Sequence, residues 1–182
     1  MNLNSKQLEA IFFKSLNNFT KAEAANILNG TSERNLCSRL GFVLETEVKG
    51  AGVYGYYADV EYNRKQQGAV KTILDDQMQV VRITCDLILH SRGESILNDN
   101  LIAVEMKRLE HPNAEKRKDR IRLRAMTKSS YDDLWSADGI AHPKHVCGYV
   151  LGYFVELDSI NRNFLVEGYS GGELLSTKRH NF

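Results

Sequence analysis

Cysteine is scarce: only Cys37, Cys85 and Cys147 occur in 182 residues, and no two of them form a CxxC pair. Their odd number and wide spacing argue against a disulfide scaffold and make a reducing cytoplasm the expected compartment. Long apolar runs are missing too, none approaching the ~18 residues that a membrane helix needs. Asn2, Asn4, Lys6 and Glu9 interrupt the N-terminus, so no signal-peptide core is expected there. Neither sign of charge dominates, with 24 Lys+Arg against 23 Asp+Glu and a formal net charge of +1. Bulk attraction to a polyanion is thereby excluded, and any such binding requires a local patch. Internal repeats, low-complexity tracts and long linkers are absent. The 42% apolar and 26% charged residues are ordinary globular proportions, enough for the core of one domain.

Leu8, Ile11, Phe12, Leu16 and Phe19 recur at helical spacing, which predicts an amphipathic helix over 5–18. Thr20 followed by Glu23 reads as a capping box opening a second, short helix that stops at Gly30. Thr31 or Ser32 caps a third, with Leu36, Leu40, Val43 and Leu44 on its buried face and Glu33 in its first turn. Beyond residue 53 the texture turns aromatic and β-branched. Strands are expected over Tyr54–Tyr62, Met78–His90 and Asn100–Lys107, with 64–77 a polar connection and 91–99 a turn that makes the last two an antiparallel hairpin. Pro112-Asn113 opens a helix to Thr127, strands follow over Val146–Leu157 and Asn163–Tyr169, and Gly171-Gly172 makes a turn. The expected fold is α/β (α+β), a central mixed β-sheet flanked by helices. One domain over 1–182 is expected, with a core of about 32–156, an N-terminal helical extension 1–31 and a C-terminal strand 157–182.

Strand alternation puts Glu105 and Lys107 on one face at the end of an apolar strand, opposite Ile102 and Val104. Asp86 interrupts the apolar run 80–89, where an unpaired acid is costly to bury, so a partner or a metal is expected beside it. If the two strands pair, Asp86 and Glu105 can converge on one cation and Lys107 can reach the same place.

Asp86, a loop, and Glu105-Met106-Lys107 resemble the motif of the PD-(D/E)xK nuclease superfamily, the restriction-endonuclease-like fold. The family order of helix, strand, Asp strand, Glu-x-Lys strand, helix and strand runs over roughly residues 32–156. Local stretches such as Ser32-Glu33-Arg34, Asp59 to Arg64 and Lys118-Asp119 through Thr127 look like small stand-alone bacterial members. Cys85 departs from the proline of the family name, at a position that only shapes the strand. The resemblance implies a Mg²⁺ (or Mn²⁺)-dependent nuclease, most readily on DNA, serving phage defence or DNA processing. It implies Asp86, Glu105 and the Met106 carbonyl as metal ligands. Lys107 would position the attacking water, or act as base if its pKa is depressed. Glu33 would hold a metal-bound water or a second metal. An acid-x-Lys triplet is expected by chance about once in a chain this long. Glu47-Val48-Lys49 is such a decoy, since it ends a helical pattern and no Asp precedes residue 59.

After the motif come Lys116, Arg117, Lys118, Arg120, Arg122 and Arg124, opposed by Glu115 and Asp119. With Arg108, this cluster reads as a phosphate-contacting stripe that would touch backbone and not bases. Glu61 shares a strand face with Asp59, and His90 with Asp86 and Ile88, so either can border the metal site. His142, His145 and Cys147 are reminiscent of zinc ligands but lack a clear fourth. Gly50–Gly55 has no Walker Lys, and Tyr54, Tyr56, Tyr57 and Tyr62 read as strand fillers before base-stacking platforms. The expected partner is nucleic acid, DNA ahead of RNA, without a membrane; a homodimer or a partner protein stays open. Two alternatives keep the same fold: a non-catalytic nucleic-acid-binding module, and a subunit that needs a partner for activity.

Overall fold

The computed structural model describes residues 3–63, 72–74, 80–82, 84–95, 98–128 and 147–182. Helix α1 (Ser5–Leu28) opens on a reciprocal cap: the Asn4 side chain accepts the Gln7 N–H at 2.9 Å, and Gln7 Oε1 accepts the Asn4 N–H at 3.0 Å. It is one continuous helix where the sequence predicts two. No Gly or Pro interrupts 5–29. The Thr20 hydroxyl turns back to the Asn17 carbonyl, while Glu23 accepts hydrogen bonds from Asn26 and Arg39, so neither residue caps anything. The chain leaves α1 at Gly30 (φ 77°), with the Thr31 N–H donating to the Asn26 carbonyl. Ser32 then caps α2 (Glu33–Gly50), which buries Leu36, Cys37, Leu40, Leu44 and Val48.

The sheet contains β1 (Tyr57–Val60), β4 (Leu87–His90), β5 (Asn100–Arg108), β6 (Leu151–Asp158), β7 (Asn163–Ser170) and β8 (Glu173–Asn181), in the order β1-β4-β5-β6-β7-β8. Between β1 and β4 in the chain, β2 (Thr72–Leu74) and β3 (Val80–Arg82) pair separately as a two-stranded ribbon. All neighbours in the main sheet are antiparallel except β5 and β6. That parallel pair needs a crossover, and α3 (Asn113–Thr127) lies within it. The fold is therefore α+β, a six-stranded mixed sheet with helices on both faces.

Alternation along the central strands feeds two cores. Ile102, Val104, Met106, Leu87 and Leu89 join α1 and α2 in the larger one, where Phe12 stacks on Tyr153 at 3.7 Å. Ala103, Ile88 and Phe154 join Leu123 and Met126 of α3 in the smaller. Gly41 lets α2 approach closely, since a Cβ there would lie 2.9 Å from a Leu87 methyl. Among the described residues, no helix is long and apolar enough to cross a membrane.

Three strand expectations need correction. The run 78–90 is not one strand: β3 pairs with β2, Thr84–Asp86 are irregular, and pairing with β5 begins only at Leu87. The connection 64–77 contains the short strand β2, its other residues lying outside those described. The expected C-terminal strand 157–182 is divided: β7 ends at Ser170, and after the Gly171-Gly172 turn (φ 59° and 85°) the chain returns as β8. Its residues are mostly exposed, because β8 is an edge and lacks the apolar alternation of a half-buried strand.

Candidate active site

Glu33, Asp86, Glu105 and Lys107 meet where the C-terminal end of β5 passes between α2 and α3. Asp86 sits in the bend before β4, and its Oδ2 accepts the Met106 main-chain N–H at 2.9 Å. The carboxylate thus captures a donor on β5. Glu33, in the first turn of α2, accepts the Arg108 main-chain N–H at 2.7 Å and lies 3.3 Å from His111 Nε2. Both acids are therefore tied to the motif strand through its backbone.

Glu105 is fully buried and faces α3, as the strand parity predicts. Arg122 Nη1 donates to its Oε1 at 2.5 Å, while its Oε2 is buried without a hydrogen-bond partner. Burial, reinforced by the nearby Asp86 charge and only partly offset by Arg122, pushes the Glu105 carboxyl well above its usual range. Lys107 Nζ lies 3.5 Å from Asp119 Oδ2, 3.6 Å from Asp86 Oδ2 and 4.0 Å from Glu33 Oε2, and donates to the Met106 carbonyl at 3.3 Å. Burial alone would depress this lysine; Asp86, Asp119 and Glu33 outweigh it and hold the ammonium above its ordinary value. A base role would require a depressed pKa, whereas among these carboxylates the group is held as a cation.

Asp119 is the member that sequence reasoning missed. It lies on the stripe Lys116, Asp119, Leu123, Met126, the buried face of α3, and its spacing was the available signal. Arg122 contacts its Oδ1 at 3.2 Å, and its Oδ2 is buried without a hydrogen-bond partner. Burial raises its pKa against the opposing pull of Lys107 and Arg122. The cluster thus holds four carboxylates, Glu33, Asp86, Glu105 and Asp119, against the cations Lys107 and Arg122. Fully ionised it carries two uncompensated negative charges, with His111 at its edge.

This donor set fits a hard divalent cation. Mg²⁺ takes carboxylate and carbonyl oxygens and retains several waters, so few protein ligands suffice. Glu105 Oε2, Asp86 and the Met106 carbonyl are of that kind, and the charge excess equals that of one such ion. Among the described residues, no three or more His, Cys, Asp or Glu side chains are gathered as a ready cage. The nearest cation to Asp86 and the Met106 carbonyl is the Lys107 ammonium itself.

The basic helix departs from its sequence reading. Lys116 is 3% exposed and donates to Glu156 and the Leu109 carbonyl, each at 2.8 Å. Arg120 forks onto Glu167, Arg122 serves Glu105, and Arg124 reaches Glu173 and the Gly172 carbonyl. Arg108 braces the Thr31 carbonyl and Ser159. Lys116, Arg120 and Arg122 are counter-charges to acids on β5–β7, Arg124 pairs with Glu173 at the surface, and Arg108 meets a carbonyl and a hydroxyl, so each already has a partner within the chain. Arg117 and Lys118 point to solvent and make no ion pair among the described residues.

Glu61 borders the site: it carries a positive φ of 52°, its N–H donates to the Asp86 carbonyl at 3.4 Å, and Arg34 pairs with it at 3.2 Å. His90 does not. Four residues further along the chain, about 13 Å of strand away, it bonds Asp59 at 2.9 Å, and Arg92 clasps the same carboxylate. The decoy is a set of helix-surface pairs, Lys49 with Glu45 and Glu47 with Lys14. His142 and His145 lie outside the described residues; Cys147 is buried. Tyr56 donates to the Asn98 carbonyl, and Tyr57 lies under Arg92. Comparison with family models, with curated proteins and with solved structures finds no match for this chain.

Proposed function

We propose that this protein is a Mg²⁺- or Mn²⁺-dependent nuclease of the PD-(D/E)xK type, hydrolysing phosphodiester bonds in DNA. The observation that carries the reading is that Asp86, Glu105 and Lys107 are neighbours at the end of β5, electrostatically coupled to one another, with Glu105 Oε2 buried and unpartnered. The order α2, β1, β4, β5, α3, β6, with the β2–β3 ribbon inserted after β1, is consistent with the core order that the resemblance implies.

Asp86, Glu105 Oε2 and the Met106 carbonyl would hold the metal. When bound, it supplies Lewis-acid stabilisation of the phosphate and lowers the pKa of a bound water. Arg122 restrains Glu105 Oε1 and leaves Oε2 without a hydrogen-bond partner. Lys107 keeps a cation at the strand end, where charge develops on a phosphate in transit. Glu33, tied to the Arg108 N–H, sets the position of α2 against that strand. Arg117 and Lys118, the solvent-facing cations of α3, are the residues to meet the nucleic-acid backbone.

The competing reading is a binding module, or a subunit activated by a partner protein. It draws on the ion pairs that already occupy the site acids. Cleavage assays with Mg²⁺ or Mn²⁺ on supercoiled, linear, single-stranded and RNA substrates separate the two. Metal-dependent scission abolished by Asp86→Asn supports the nuclease. Metal-independent binding without scission on every substrate supports the module.

A further inference from the structure

Lys107 has two sets of oxygens within reach, and the proposed metal would compete with it for one of them. On one side stand Asp86 Oδ2 (3.6 Å) and the Met106 carbonyl (3.3 Å), both in the proposed ligand set. On the other stands Asp119, whose side chain is 7% exposed and whose Oδ2 is buried, lacks a hydrogen bond and lies 3.5 Å from the ammonium. A divalent ion bound to Asp86 and Met106 would repel a second cation on the same oxygens and expel the lysine from them. Returning a half-buried ammonium to no partner is costly, so it needs another counter-charge. Arg122 already grips Asp119 Oδ1 at 3.2 Å, which fixes the carboxylate and leaves Oδ2 facing Lys107.

We infer that Asp119 is a positioning residue that holds the Lys107 ammonium when the metal occupies Asp86 and Met106. The lysine, shared between Asp86 and Asp119 without metal, thus moves wholly onto Asp119 and stays beside the reacting phosphate in both states. This inference rests on the proposed metal site. It gives an acid of α3 a role at that site, where α3 by sequence suggested only a basic stripe.

The test is a four-protein cycle: wild type, Asp119→Asn, Lys107→Ala and the double variant, each titrated with Mn²⁺ alone and followed by electron paramagnetic resonance. Without its second dock, Lys107 competes for Asp86, so Asp119→Asn should weaken Mn²⁺ binding about tenfold or more. Removing the lysine should then recover affinity by a factor at least ~10 larger in the Asp119→Asn background than in the wild type. Equal gains in both backgrounds would reduce Asp119 to a nearby charge and overturn the inference, leaving the metal site standing. No Mn²⁺ binding by the folded wild type would overturn both. A crystal structure of the Mn²⁺-loaded wild type requires no variant: Nζ should lie within hydrogen-bond distance of Asp119 Oδ2 and clear of the Met106 carbonyl. A lysine still seated on Asp86 would refute the two-dock arrangement.

Discussion

Asp86 accepts the main-chain N–H of Met106, the residue between Glu105 and Lys107, at 2.9 Å. The hydrogen bond couples the charge of one acid to the alignment of the strand that carries the other. Substitutions at Asp86 can therefore separate the two roles. Asparagine keeps an acceptor oxygen for Met106 but lacks the charge, whereas alanine lacks both. Asp86→Asn should fold and lose the rise in melting temperature that Mn²⁺ gives the wild type by linkage. Asp86→Ala should lose that rise and also melt lower without metal, by the ~1–3 kcal/mol of an unsatisfied buried donor. Melting curves with and without Mn²⁺ check both outcomes. A full metal shift in Asp86→Asn removes this residue from the ligand set.

Glu105 gives a prediction of opposite sign. Its carboxyl is held well above the usual range by burial and by Asp86. A raised carboxyl pKa means that the folded state resists ionisation, so the native state loses stability as pH rises above the unfolded value. Glu105→Gln removes that penalty. It should melt higher than wild type at pH 7 without metal, by about 2–4 °C for each ~1 kcal/mol relieved. The same variant should show no stabilisation by Mn²⁺. Lower melting in the metal-free variant would contradict the assignment of Glu105 as a strained acid.

The cations of α3 divide into two classes. Lys116 is enclosed with Glu156, and removing one partner of a buried pair typically costs about 3–5 kcal/mol. Lys116→Ala should melt markedly lower. Reversal of Arg117 and Lys118 to Glu should leave melting near wild type and flatten the salt dependence of DNA binding by about two or more logarithmic slope units. An unchanged slope would mean that nucleic acid approaches from another face.

Arg120 and Glu167 form the clearest structural pair. Burial favours the neutral acid, yet the Arg120 and Tyr169 hydrogen bonds hold the Glu167 carboxyl below its ordinary value of 4.5. A depressed carboxyl stabilises the fold above its unfolded pKa, and this contribution is lost as pH falls through the folded one. Arg120→Ala should therefore melt well below wild type at pH 7, with the gap narrowing below pH ~4.5. A gap independent of pH would assign the loss to the packing of Arg120 over the Phe154 ring, 4.1 Å away.

Much of this arrangement is legible in the chain. Strand parity puts Glu105 and Lys107 on one face, and the Ser32 cap places Glu33 in the first turn of its helix. Those are local rules, and local rules survive folding. The misreadings arise where tertiary partners decide. Thr20 and Glu23 have the spacing of a cap, but Arg39 on another helix claims the acid. Asp86 looks like a strand residue, yet its carboxylate takes a main-chain donor from β5 and the strand begins one residue later. Lys116, Arg120, Arg122 and Arg124 read as a phosphate-contacting stripe because their partners, Glu156, Glu167, Glu105 and Glu173, are distant in sequence. Asp119 was hidden by the same crowd of charge.

The most direct test of the nuclease reading is single-turnover cleavage of DNA at saturating Mg²⁺ by wild type, Lys107→Ala and Lys49→Ala, with a melting curve for each. Lys107 touches the site acids, whereas Lys49 pairs with Glu45 on the surface of α2. The account predicts metal-dependent cleavage by wild type and by Lys49→Ala at similar rates, and a loss of about 10²–10³-fold in folded Lys107→Ala. Cleavage by Lys107→Ala at the wild-type rate, or none by the wild type on any nucleic acid, would contradict it.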